Sequence, residues 1–330
     1  MGHEPETGVG GSLDSRMAKE DKQVSSGLPF PDTSKPLFVY GALKPGEIAH
    51  PQIAPFVRNA EPARLQGALL LLRDGLPFLD DDETGKSFVD GWLLDLDVSG
   101  YEIVCSFEPR DLYKWSPTPA LVQVVGGGGI MRNSNVLLGR SERRGNPDPA
   151  GHVWHSRDDP VLRIAPKVAV DMYSSLDEQW LFPGRERTDQ HWEQLFRLQA
   201  AYLLLWTTYE RLMALRYGPA LNPMRLIGLL ESEPAFTEAF RAAGCQSGYS
   251  VFDSRDLHKV TVGSYGEHAV EAWYLVRSNL SHRGKGAHGD SGTLASAFTD
   301  SHGVLNYLLP AFIEGWSKVT SSTPGADDQS

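Results

Sequence analysis

The sequence predicts an α+β protein: a mostly β domain in the N-terminal part, followed by an all-α helical domain. Three observations predict it. Between residue 36 and residue 138 the apolar runs are short and bounded by Gly, Pro and Asp, as strands are. From residue 188 apolar residues recur at helical spacing without a break until Gly218-Pro219, a stop signal. The chain has 330 residues, 41% of them hydrophobic, enough for about two domains with packed cores.

In chain order, residues 1–34 are polar and Gly-rich; they are expected to be a disordered tail and lack the apolar core of a signal peptide. The β domain is placed at 35–140. Its strand signals are LFVYG from Leu37, RLQGALLLLRD from Arg64, SFVDGWLLDLD from Ser87 and ALVQVVGG from Ala120. SGYEIVCSFEPRDLYKW, from Ser99, sits among them and is expected to hold a short helix. Residues 141–185 are a linker or extension: a polar loop, then HVWHSRDDPVLRIAPKVAVDMYSSL, which has some strand character. The helical domain is placed at 186–318. After its long first helix come NPMRLIGLLES, EPAFTEAFRAAG, a helix opening near Ser264 as a cap, and a last helix from about residue 290. Residues 319–330 form a second disordered tail, and no internal repeat is found.

Charge and composition narrow the function. The net charge of -11 argues against a coat of non-specifically bound nucleic acid. Residues 190–320 are nearly neutral, so the acidity lies mostly upstream. The two cysteines, Cys105 and Cys245, lie far apart, which argues against a disulfide framework or a Cys-based zinc site and fits a reducing cytoplasm. No apolar run approaches the ~20 residues that span a bilayer, so no membrane partner is expected. His191, His258 and His268 have no metal-ligand spacing; neither a metal nor another cofactor is expected.

The stretch LFVYGALKPGE carries the first chemical signal. A strand that stops at Gly41 and continues with small residues exposes backbone N–H groups, and no Cβ at Gly41 shields them. A plain strand–turn junction has the same residues. FVYGALKPGE resembles the opening of the gamma-glutamylcyclotransferase-like fold, in which a strand ends in Tyr-Gly-Ser/Thr-Leu. RLQGALLLLRDGLPFLDDD resembles the second strand and Gly-x-Pro turn of that family, SFVDGWLLDLD its next strand, and VCSFEPRDLYKW its Glu-bearing segment. The resemblance spans about residues 36–125 and implies a small β-barrel with short helices. It also implies a small gamma-glutamyl substrate, held by Tyr40, Gly41, Ala42 and Leu43 with Tyr113 as a lining residue. Glu108 is the implied general base, which frees the α-amine to attack the γ-carbonyl and release 5-oxoproline. A carboxyl in a partly apolar pocket is raised towards the working pH, which suits that task. This chain carries Ala42 where the family usually has Ser or Thr, and Pro109 where Gly is common.

YLVRSNLSHRGKGA carries the second signal. It resembles the Arg-x4–6-His motif of the HEPN superfamily through Tyr274, Val276, Arg277, Asn279, Leu280, His282, Gly284 and Lys285. The resemblance implies a homodimer in which Arg277 and His282 form a metal-independent ribonuclease pair of toxin or defence type. Its alternative is a non-catalytic dimeric module that binds nucleotide or RNA. A His moves protons near neutral pH and an Arg stabilises a charged phosphorane. The same cations at a helix end also answer the helix dipole. Glu210 is read as a solvated residue of the long helix, with Arg277 as its alternative partner.

Overall fold

The structure is a computed structural model that describes residues 30–316, except 74, 83, 110, 124–128, 141–147, 178–187, 254–257 and 284–290. The expected tails therefore lie almost wholly outside the described residues.

Among the described residues five strands close into a barrel in the order β1-β5-β2-β6-β7. They are β1 (Leu37–Val39), β2 (Val57–Gln66), β5 (Phe88–Leu96), β6 (Tyr113–Gln123) and β7 (Gly129–Gly139). Short β1 closes the ring: Phe38 lies opposite Leu93 of antiparallel β5 and opposite Val136 of parallel β7. A side sheet holds β3 (Ala68–Arg73) between β4 (Leu76–Asp81) and β8 (Asp148–Pro149). Gly67, at φ +72°, separates β2 from β3 and sends the chain out of the barrel. GLPF is more than the turn expected of it. The turn is at Gly75 (φ +80°), and Pro77 continues into β4, an edge strand where its missing N–H leaves no ladder bond open.

The expected short helix is present. Besides α1 (His50–Ile53), the barrel domain has α2 (Val98–Phe107), whose N-terminus is capped by Asp97 accepting from the Gly100 N–H at 2.9 Å. Pro109 disfavours helical backbone at the residue before it. Glu108 accordingly leaves the helix with φ -93° and ψ 127°.

Residues 160–174 are helical, against the strand character read there: α3 (Pro160–Arg163) and α4 (Ala165–Ser174). The reason is Asp159-Pro160, a capping carboxylate followed by Pro at the first helical position. Then follow α5 (Asp189–Tyr217), α6 (Pro223–Glu231), α7 (Pro234–Ala242), α8 (Ala269–Arg283) and α9 (Ser291–Phe312). The region is helical but not all-α: β9 (Ser250–Phe252) and β10 (Lys259–Thr261) form a hairpin between α7 and α8. Ser264 is not the cap of α8, which begins five residues later, after Gly266 (φ +88°) and His268 (φ 60°).

Fully buried Trp273, Tyr202, Tyr209, Phe236 and Phe240 make the helical core, each contributing about 1.5–3 kcal/mol by burial. The Tyr202 and Tyr209 hydroxyls donate to the carbonyls of Trp273 and Ser301, both at 2.7 Å, and so tie α5 to α8 and α9. No helix among the described residues is long and apolar enough to cross a membrane.

Candidate active site

The loop that leaves β1 is fixed from below. Tyr40 is buried and its hydroxyl donates to the Leu137 carbonyl on β7 at 2.9 Å. Lys44 and Glu47, only 3% and 7% exposed, tie the loop to residues 154–156. The Lys44 ammonium donates to the Trp154 carbonyl. Glu47 accepts from the Ser156 N–H at 2.7 Å and from its hydroxyl at 2.6 Å, and its other oxygen lies 2.7 Å from His155 Nδ1. The loop folds back on itself through Lys44 N–H to Gly41 O (3.2 Å) and Ala49 N–H to Ala42 O (3.0 Å). Its carbonyls are thereby used. Its N–H groups at Gly41, Ala42 and Leu43 pair with no acceptor among the described residues.

Those three residues line a cavity of about 70 Å³. Tyr40, Tyr113 and Glu108 line it too, so the six residues read from the sequence as one site do meet. The Tyr113 hydroxyl donates to the Pro77 carbonyl at 3.2 Å. Burial pushes the Glu108 carboxyl up from 4.5 to about 8, and no donor among the described residues offsets it. Burial, with Glu108 nearby, also raises the Tyr40 and Tyr113 phenols, which stay neutral donors.

Gly41 has a tighter reason than the one expected. Its backbone is not in the left-handed region; a Cβ there would lie 3.1 Å from Pro77 Cγ, in the cavity wall. Sequence reasoning missed that wall: Leu76 and Pro77 of β4, and Ala214, Leu215 and Pro219 from the end of α5. The sequence signal was Gly218-Pro219, read only as a helix stop.

The second constellation lies elsewhere. Arg277 lines no part of this cavity and pairs with Glu210 at 3.3 Å. Glu210 is exposed, as read, and also takes up its alternative partner Arg277; it accepts from the Trp206 indole at 2.8 Å as well. Residue 282 is on the last turn of α8, while the His282 side chain and residues 284–290, with Gly284 and Lys285, lie outside what the structure describes.

Residues 37–151 match the family model described as gamma-glutamyl cyclotransferase, AIG2-like. The N-terminal domain is thus gamma-glutamylcyclotransferase-like at the level of the family. No curated protein matches the chain.

Proposed function

We propose that this cavity is a gamma-glutamyl cyclotransferase site that releases 5-oxoproline from a gamma-glutamyl amine or amide. The observation that supports it most is one arrangement: a desolvated carboxyl shares a small cavity with three consecutive N–H groups, and among the described residues neither the carboxyl nor the N–H groups have hydrogen-bond partners. The N–H groups of Gly41 to Leu43 suit the α-carboxylate of the substrate. Glu108 takes a proton from the α-ammonium. The freed nitrogen lone pair attacks the γ-carbonyl carbon and forms the C–N bond of the five-membered ring. The bond to the leaving nitrogen then breaks as Glu108 returns the proton to it; the freed carboxylate takes the second surplus proton from the ring nitrogen, which leaves the neutral lactam N–H, and passes it to the departing amine, which leaves as an ammonium. A carboxyl near 8 suits this transfer, because an α-amino group titrates at about 8 and the proton moves nearly level in energy. Ring closure is helped because both reacting groups belong to one chain. The test is 5-oxoproline release from gamma-glutamyl amides. Wild type releases it and Glu108→Gln, folded by circular dichroism, does not; release by Glu108→Gln at the wild-type rate rules the mechanism out.

A second reading applies to the helical region: a HEPN-type module that pairs two chains through α8. It rests on the YLVRSNLSHRGKGA motif; Arg277 of α8 pairs with Glu210 of α5 at 3.3 Å. RNA cleavage that persists in EDTA and disappears in His282→Ala is its test.

A further inference from the structure

The barrel does not build the Glu108 cavity alone. The end of α5 meets three of the segments around it. Arg211 Nε stands 3.5 Å from buried Asp159 Oδ2, and the two side chains crowd Gly75, beside the cavity residues Leu76 and Pro77. Arg216 donates to the Ile48 carbonyl, in the loop after Leu43, at 3.1 Å. Its guanidinium is set by Glu233 at 2.7 Å and lies 3.8 Å over the Phe312 ring. Gly218, at φ +97°, packs so closely on Phe107 that a Cβ would sit 2.8 Å from the Phe107 carbonyl oxygen. Phe107 precedes Glu108. Ala214, Leu215 and Pro219, on either side of these fixed points, face the cavity.

We propose that the C-terminal end of α5 is the leaving-group wall of the site: it selects gamma-glutamyl amides whose amine carries an uncharged apolar substituent, while Gly218 positions Glu108 through Phe107. The proposal rests on the cyclotransferase reading. Ala214, Leu215 and Pro219 offer the leaving group no polar side chain, and neither do Leu76 and Leu112, which line the same cavity. Both tyrosine hydroxyls are already donating to backbone carbonyls. Glu108 is occupied by the substrate's amine. A carboxylate or ammonium on the released amine loses water here and finds no counter-charge, Glu108 aside, among the described residues of the lining. An apolar substituent loses nothing and gains contact.

The test compares three substrates on the full chain by 5-oxoproline release: the gamma-glutamyl amides of isoamylamine, of leucine and of 1,5-diaminopentane. They share an apolar stem and differ in charge. The isoamyl compound is expected to exceed the other two in kcat/KM by at least about tenfold. Ala214→Arg, which places a cation in the wall, is expected to narrow the gap to the leucine compound. Gly218→Ala is expected to lower kcat more than it changes KM and to move the acid limb of the pH profile, which a loss of stability alone does not do. If Gly218→Ala does not fold, the substrate comparison and Ala214→Arg still decide. Equal rates on the three substrates would overturn the proposal and leave the cyclotransferase reading standing, with the leaving group in solvent; a leucine compound faster than the isoamyl one would also overturn it and would place the leaving group toward Arg73 and Arg140, which line the adjoining cavity with Tyr113. A Gly218→Ala enzyme with unchanged kcat and pH limb would overturn the positioning role. No 5-oxoproline from any of the three would remove the underlying reading, and this one with it.

Discussion

Replacing Glu108 by Gln is expected to make the protein inactive and, above mildly acidic pH, more stable. The Glu108 carboxyl titrates near 4.5 in an unfolded chain and is raised by burial to about 8 in the fold. Below the lower value both states are protonated and pH has no effect through this group. Between the two values the folded state keeps a proton that the unfolded state has lost, so stability falls as pH rises. Above the higher value the loss is complete. Each pH unit crossed between the two values costs about 1.4 kcal/mol, so the fall from about pH 5 to about pH 8 is of the order of 3 kcal/mol. Glutamine keeps the shape and has no such titration. The difference in unfolding free energy between Glu108→Gln and wild type is therefore expected to widen in the variant's favour by about 3 kcal/mol over that range. Urea unfolding followed by tryptophan fluorescence at several pH values measures it. Parallel stability profiles for the two proteins would refute the placement of a desolvated carboxyl at this site, and with it the physical basis for Glu108 as the base.

The same titration fixes the rate profile, because only the carboxylate form takes the substrate's proton: kcat/KM is expected to fall about tenfold per pH unit below about 8, and a flat acid limb contradicts it. Gly41→Val puts a branched side chain where a Cβ already lies 3.1 Å from Pro77 Cγ, and is expected to lower kcat/KM by at least about tenfold in a folded protein. Arg216→Met removes a buried cation from Glu233 and Ile48, and is expected to lower the unfolding free energy by about 2–4 kcal/mol in denaturant titration. If the helical region is a HEPN-type module, light scattering is expected to show a homodimer that survives His282→Ala; a monomer at micromolar concentration excludes it.

What the sequence made legible was local. Tyr40 to Leu43 stood out because an apolar strand stops at a glycine. Glu108 stood out through the resemblance of VCSFEPRDLYKW to a Glu-bearing segment, with apolar Phe107 beside it; Pro109, a departure from that pattern, is what turns the backbone out of the helix there. Helix α5 was legible from Thr188 to Gly218 because its period is sustained and both ends carry capping residues. Less was legible where a residue's role depends on something distant. Pro77 reads as a turn residue until its strand is seen at a sheet edge. The helices at 160–174 are short and carry three Val, and form on the face of α5. The 250–261 hairpin has three-residue strands, too short for alternation to register. The α5 wall was out of reach for the same reason: Ala214 and Leu215 are ordinary residues of an apolar helix face, and only the packing of Gly218 on Phe107 makes them part of a site.

The closure of the barrel by three-residue β1 also has a kinetic consequence. Phe38 pairs with Leu93, about 55 residues on, but meets Val136 only about 98 residues on. Bringing such distant partners together costs chain entropy before any contact rewards it, and folds dominated by such pairings form slowly. A nascent chain that has emerged only through β6 has no partner for the second edge of β1, and the loop at Tyr40 lacks the Leu137 carbonyl that secures it. One that has emerged only through β7 still lacks Ala214 to Pro219. The cavity around Glu108 is thus among the last parts of the molecule to form, although its first residues are made near the start of synthesis. Slow β1 docking would leave an unpaired barrel edge exposed on the ribosome, where such edges recruit other chains.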